Sequence, residues 1–300
     1  MTTRRRMLTI LAGAAAWSVT GAKAAVKPAQ WRGIALGAPA RIILDHPDAD
    51  NLIRRSVAEI ARLENIFSLY RAGSDLSRLN RDGTLIAPAL ELVEILSRCA
   101  ALHDRTGGAF DPTVQTLWSL YADCHSRGQQ PHEKQIAEAM TKTGWDEIEV
   151  SAQRIAYRRS GMAMTLNGVA QGFIADRVAD LMRAGGVRDV LINTGEITAL
   201  GRAPDNAPWQ VAVRDGQGPD VPLTDRAMAT SAPLGTTFDA GETVGHIIDP
   251  RSGYPGGRWR SVTVIARSAA EADALSTGFV LMDRSEIEAA RGDSEVLLGN

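Results

Sequence analysis

The sequence predicts an α+β fold (a mixed α/β body), and three observations carry that prediction. Apolar residues recur at helical spacing in several segments bounded by turn residues. Short runs suited to strands alternate with those segments. No fixed-period repeat, low-complexity tract or linker divides the chain beyond its leader. Three hundred residues suffice for a sizeable core. The net charge is −2 at pH 7, with no basic excess and no block of like charge. A nucleic-acid partner is therefore not expected.

Residues 1–24 read as a signal peptide. Arg4-Arg5-Arg6 precede an uncharged, Ala-rich run to about Thr20, and Ala22-Lys23-Ala24 supplies an A-x-A cleavage site. Paired arginines before a modestly apolar run match a twin-arginine leader, so a periplasmic protein is expected, with residues 25–300 as its mature domain. The run is short for a bilayer span. Left uncleaved, it would tether the protein to the inner membrane. No cysteine follows it to carry a lipid.

The elements follow in order. Residues 40–44 read as a strand. His46-Pro47-Asp48 turns it into a helix whose apolar face carries Ile53, Val57, Ile60, Leu63 and Phe67. Residues 68–80 read as a polar loop with anchoring leucines. A helix follows Pro88, which suits a first turn, and runs to about Arg105. Pro112 disfavours helical geometry at Asp111, so that carboxylate is expected to project from a loop. Residues 118–132 read as an irregular surface insertion, and 133–143 as a short helix stopped by Gly144. Residues 147–150 and 154–157 form an expected hairpin. It leads into Thr165-Leu-Asn-Gly-Val-Ala-Gln-Gly-Phe-Ile-Ala-Asp176, an extended segment turning into a helix. Ile174, Val178 and Leu181 mark that helix's inner face, and Gly185-Gly186 its end. Strands are expected near 187–193, 210–214 and 262–266, and a last helix near Glu271 with Leu275, Phe279 and Met282. Cys99 shares a helical face with Leu92, Ile95, Leu96 and Leu102, which favours a buried free thiol, although an oxidising periplasm permits a Cys99–Cys124 bond. No Cys/His spacing suits zinc.

The 165–176 stretch is where chemistry concentrates. Gly168 and Gly172 let the backbone bend and approach a ligand, and the amides opening a helix favour anions such as phosphate. Similar enrichment in glycine, polar and aromatic residues recurs at Leu36-Gly-Ala, at the Tyr70 loop, at Ala109-Phe110-Asp111, at Ala229-Thr-Ser, from His246 to Pro255 and from Ala272 to Thr277. Each has an ordinary explanation alone. Asp111-Pro and Asp249-Pro suit turns, Asp273 suits a first helical turn, and Tyr70 suits a half-buried aromatic position.

Taken together and in this order, the segments Gly108-Ala-Phe-Asp-Pro-Thr-Val114, His246-Ile-Ile-Asp-Pro-Arg-Ser-Gly-Tyr-Pro255 and Ala272-Asp-Ala-Leu-Ser-Thr277 resemble the ApbE family of FAD:protein FMN transferases. The resemblance covers nearly all of the mature chain. It implies an enzyme that cleaves FAD at its pyrophosphate, passes FMN to a Thr or Ser hydroxyl of a target protein and releases AMP, with Mg2+. It implies FAD contacts from Leu36, Tyr70, Ala109, Phe110, Asp111, Thr165, Gln171 and Ile247. It implies magnesium ligands from the Gly168 carbonyl, Asp273 and Thr277. Asp273 and Thr277 are four apart and share a helical face. A hard cation with few protein ligands suits phosphoryl transfer, which needs charge neutralisation and positioning above all. The acceptor proton needs a base, for which His246 is the first candidate and Asp111 the second. The implied partner is an acceptor flavoprotein, membrane-linked and working in electron transfer, with its acceptor domain outside the cytoplasm.

The chain departs from the family pattern at three places. Thr165 stands where the family has Asp, Gln171 where it has Lys or Glu, and Asn193-Thr-Gly-Glu196 where it has Asn-x-Gly-Gly. A threonine hydroxyl bonds adenine or ribose but offers no carboxylate. The leader and these departures resemble the branch that accompanies nitrous-oxide respiration. An FAD pyrophosphatase, with water as acceptor, and a non-catalytic FAD-binding protein are the competing readings.

Overall fold

The computed structural model describes residues 28–213 and 220–300. The expected leader, and Arg214 of the strand expected at 210–214, lie outside the described residues.

Strands β1 (Ala29–Ala35) and β2 (Ala38–Leu44) form a hairpin. Its two-residue turn, Leu36-Gly37, has both residues at positive φ, 46° and 82°, as tight hairpins require. Helix α1 (Ala49–Phe67) follows and buries Ile60, Leu63 and Phe67 as predicted. The 68–80 segment is a loop only in its first half. Ser74 accepts from the Ser77 amide and starts helix α2 (Asp75–Asp82), which Gly83 ends in the left-handed conformation. Strand β3 (Thr84–Ile86) and helix α3 (Leu90–Arg105) come next. Pro88 precedes the α3 N-cap rather than sitting in its first turn.

The 118–132 insertion is not irregular. It holds most of helix α4 (Gln115–Ser126), which pairs with α5 (Glu133–Met140). Leu117, Tyr121 and Cys124 lie buried at helical spacing, a stripe the sequence reading passed over. Leu117, Tyr121, Ile136 and Ala139 pack with Ile248, so this helical hairpin supports the segment that follows His246. Strands β4 (Ile148–Val150) and β5 (Arg154–Tyr157) pair as expected and join β3 in a small sheet.

Helix α6 (Ala170–Ala184) carries the central stretch. After it come β6 (Val190–Asn193), β7 (Ile197–Leu200), β8 (Trp209–Val211), β9 (Val221–Leu223), β10 (Arg226–Ser231), β11 (Ser261–Ala266), α7 (Ala269–Phe279), α8 (Arg284–Ala290) and β12 (Glu295–Gly299). Helix α7 is thus not the last element. The main sheet has the order β1-β2-β6-β7-β10-β11-β12, and every neighbouring pair is antiparallel.

The sheet buries both faces, by alternation along its central strands. On β10, Ala227 and Ala229 enter the main core with Phe173, Ile174 and Phe279, while Met228 faces the other way. There Met228 meets Trp209, Val211 and Leu223 of the β8–β9 hairpin. Small alanines on the inner face let α7 lie close on β10 and β11. Cys99 and Cys124 are both buried free thiols. Among the described residues no helix is long and apolar enough to cross a membrane.

Candidate active site

The site is built on the antiparallel packing of α6 against α7. Residues four apart on a helix share a face. Gly172 and Asp176 of α6 form one such row, with Gly168 in the turn just before that helix, and Ala269, Asp273 and Thr277 of α7 form the other. The rows meet in three rungs. A Cβ on Gly168 would lie 2.9 Å from Thr277 Oγ1, so the Gly168 backbone sits directly beside that hydroxyl. The Gly172 amide donates to Asp273 Oδ2 at 3.2 Å. Asp176 accepts from Ser268 Oγ at 2.6 Å, the Ala269 amide at 2.8 Å and the Ala270 amide at 3.1 Å.

Asp273 is 4% exposed and lies one turn inside α7, past Glu271 in the first turn. Ser231, at the end of β10, places its hydroxyl 2.8 Å from Ser276 Oγ and 3.3 Å from Thr277 Oγ1. The Ala109-Phe110-Asp111 loop closes on the same helix. A Cβ on Gly278 would lie 3.2 Å from Phe110 Cβ, so glycine there admits the loop.

Asp111 does project from a loop, as Pro112 predicts, with φ at −142°. Its Oδ1 accepts from the Thr113 amide at 2.8 Å and from Thr113 Oγ1 at 2.7 Å. His103 Nδ1 lies 3.1 Å from the Phe110 carbonyl and 3.7 Å from Asp111 Oδ2, so it fixes the loop from below. Cys99 lies buried beneath. Burial pushes its thiol well up, and the charges of Asp111 and Asp273 add to the effect. It is an inert core thiol rather than a nucleophile.

Thr165 is tied to this loop, its amide donating to the Pro112 carbonyl at 2.8 Å. Asn80 holds the preceding residue from both sides. Its Nδ2 donates to the Met164 carbonyl at 2.8 Å and its Oδ1 accepts the Met164 amide at 2.9 Å. Gln171 leans on the departing turn at 193–196. Its carbonyl accepts from Thr194 Oγ1 at 2.9 Å, and a Cβ on Gly195 would lie 2.6 Å from its side-chain amide.

His246 Nδ1 lies 2.9 Å from the Thr236 carbonyl and 3.2 Å from the Pro233 carbonyl. Carbonyls only accept, so Nδ1 carries a proton, and whenever the ring is neutral its lone pair is at Nε2, the tautomer a base requires. Pro233 and Thr236 follow Ser231 along the chain, which links the histidine to the Thr277 end of α7. Ile247 is buried in the core beside it.

Leu36 and the Tyr70 loop are joined through Glu64. The Leu36 amide donates to Glu64 Oε1 at 2.7 Å, and Glu64 pairs with Arg71, next to Tyr70. Tyr70 itself is 81% exposed, an aromatic ring offered to solvent rather than half-buried.

Sequence reasoning missed Asn80, His103 and Asp176, whose roles depend on pairings remote in the chain. Surface hollows beside Arg105 and Glu271, and beside Asp189 and Gly201, share no residue with this set. Among the described residues no three His, Cys, Asp or Glu side chains converge as a metal site. A cation at the α6–α7 junction would instead use one carboxylate, one hydroxyl and a backbone carbonyl. That sparse set of hard oxygens fits magnesium, which keeps waters and substrate phosphates as its other ligands.

Fold and site together define a class. The chain superimposes on the flavinyl transferase ApbE of Pseudomonas stutzeri, apo form, with a TM-score of 0.80, at 27% identity over 91% of this chain and 90% of that one. It is an α+β protein of flavin-transferase fold. Residues 36–297 match the model of the ApbE family, and the chain belongs to that family. The ApbE protein of Thermotoga maritima superimposes with a TM-score of 0.82, at 25% identity over 90% of this chain and 94% of that one. Among curated relatives, the FAD:protein FMN transferase of Haemophilus influenzae is 29% identical over 244 residues, covering 74% of this chain and 70% of its own. That of Treponema pallidum is 29% identical over 266 residues, covering 76% and 74%.

Proposed function

We propose that this chain is a magnesium-dependent FAD:protein FMN transferase that attaches FMN to a Thr or Ser hydroxyl of an acceptor protein and releases AMP. The observation that carries the reading is the convergence of the Gly168 backbone, Asp273 and Thr277 at one helix junction, in a chain of this family. When bound there, magnesium would neutralise pyrophosphate charge and orient the group being transferred.

The chain's own residues do the rest. Tyr70 and the Ala109–Asp111 loop hold the flavin half of FAD, with Leu36 and Ile247 completing the contact. Thr165 and Gln171 face the AMP half. His246 takes the acceptor's proton at Nε2 as the hydroxyl oxygen bonds to the FMN phosphorus. The bond from that phosphorus to the bridging oxygen breaks, and AMP leaves with the electron pair. Asp111, held by Thr113 and His103, is the second candidate for the base.

The deciding experiment incubates mature protein with FAD, magnesium and a candidate acceptor domain, then reads the intact mass of the acceptor. An acceptor heavier by one FMN supports transfer. AMP with free FMN and an unmodified acceptor indicates a pyrophosphatase, and no AMP at all indicates a binder.

Tyr70→Ala is expected to weaken FAD binding about fivefold or more, since an aromatic contact contributes roughly 1 kcal/mol. Tyr70 is mostly exposed, so the fold should be unaffected. Unchanged affinity by fluorescence titration would place the isoalloxazine elsewhere.

The acceptor is a membrane-linked electron-transfer flavoprotein with its acceptor domain outside the cytoplasm, and the transferase meets it in the periplasm. The leader motif supports this. Replacing Arg4 and Arg5 by lysine should leave precursor in the cytoplasm. Normal periplasmic yield of that variant would remove the twin-arginine route.

A further inference from the structure

We propose that Asp176 is a positioning residue for the magnesium site, setting the register of α7 against α6 so that Asp273 and Thr277 meet the Gly168 carbonyl. The inference rests on the metal reading above and goes beyond it by assigning the site's alignment to a residue that touches neither metal nor substrate.

A helix start leaves its first backbone amides without intrahelical partners, and an N-cap side chain takes one of them. Ser268 serves as that cap for α7, accepting from the Glu271 amide at 3.3 Å. The two preceding amides, of Ala269 and Ala270, are taken by a carboxylate from a different helix. Asp176 therefore does not merely finish a helix end; it joins two helices at a defined offset. The Ser268 hydroxyl donates to the same carboxylate, so three donors from α7 converge on one α6 side chain.

The position along α6 gives this bond its leverage. Asp176 is one turn beyond Gly172, whose amide meets Asp273, and Gly168, which lies against Thr277, is in the turn that leads into α6. A slip at the Asp176 rung is carried by the two helices to the Gly172 rung, and through the turn that opens α6 to Gly168. The carboxylate is braced from α3. Arg98 Nη1 lies 3.9 Å away, and Glu94 holds both Arg98 and Arg177. Both guanidinium groups lie over the Phe173 ring, which fixes them against α6. Metal ligands tolerate displacements of only about 0.2 Å, and residues that orient them typically change affinity about 10- to 100-fold when lost.

The test titrates the mature protein with Mn2+ alone, as a stand-in for magnesium, and follows free Mn2+ by electron paramagnetic resonance. Asp176→Asn turns one acceptor oxygen into a donor facing amides, and is expected to weaken Mn2+ binding about 10- to 100-fold. Asp176→Glu keeps charge and both acceptors but displaces them, so it should weaken binding to a smaller degree and guards against a folding failure of the first variant. Ser268→Ala removes the local cap while leaving both amides on Asp176. Because it also removes one of the three donors to Asp176, it should lower the melting temperature and weaken Mn2+ binding, but by much less than Asp176→Asn. Equal Mn2+ affinity in wild type and both folded Asp176 variants would overturn the proposal and leave the metal reading standing. Equal loss in Ser268→Ala would overturn it as ordinary fraying. No Mn2+ binding by wild type would overturn the metal reading, and the proposal with it.

Discussion

Replacing Asp273 by asparagine is expected to cut FMN transfer by roughly 100- to 1,000-fold while leaving the fold and much of FAD binding in place. A metal's stabilisation of phosphoryl-transfer charge is worth several kcal/mol, and each 1.4 kcal/mol is about tenfold in rate. Asparagine has the same shape and keeps an acceptor for the Gly172 amide, so packing changes little. The competing explanation, an acid that complements the helix dipole, is worth about 0.3–1 kcal/mol and fades beyond the first turn. Asp273 sits past that turn, where Glu271 already supplies the acid. It is buried at 4% exposure, with Asp111 close enough to join it in acting on Cys99, so two carboxylates concentrate negative charge where a cation would be held. The measurement is single-turnover transfer across a magnesium titration, with chelator added to wild type as control. Full transfer by Asp273→Asn at unchanged magnesium dependence would sink the assignment.

Local signals made much of this molecule legible. The Asp111-Pro112 dipeptide fixed a loop conformation because proline restricts the residue before it. The apolar spacing of Ile60, Leu63 and Phe67 marked a helix face, and the glycines at 168 and 172 marked a close backbone approach. Strands β10 and β12 were harder. Arg226-Ala-Met-Ala-Thr-Ser231 is rich in alanine, a poor strand former, and becomes a central strand because α7 demands small residues beneath it. The 68–80 segment misled because its polar composition suits a loop, while Ser74 and Gly83 are the cap residues of a short helix. Within the site, residue types were readable and pairings were not. Nothing local to Asp176 announces that its donors lie more than ninety residues away, on Ser268, Ala269 and Ala270.

Gly172→Ala is the sharpest test that the helix pair itself is the active element, because two effects of known sign oppose each other. Alanine is favoured over glycine inside a helix by about 0.8–1.0 kcal/mol, and Gly172 lies inside α6. Against that, a Cβ at 172 would sit 2.2 Å from the Ala269 carbonyl oxygen, 2.4 Å from its carbon and 2.6 Å from the Ala270 nitrogen. These are backbone atoms of a helix start held on three sides, so no flexible side chain can yield. Overpacking of a tight core costs about 1–3 kcal/mol, and here relief requires moving one helix off the other. The clash should win, for a net loss of up to about 2 kcal/mol in unfolding free energy, read as a lower denaturant midpoint. Gly73→Ala serves as the control, since a Cβ there meets nothing within 4 Å. Separation of the helices also draws the Gly172 amide from Asp273 and Gly168 from Thr277, so the magnesium needed for half-maximal transfer should rise about tenfold or more, beyond what lost stability explains. A Gly172→Ala protein as stable as wild type, with unchanged magnesium dependence, would show that the contact between α6 and α7 does not set the site.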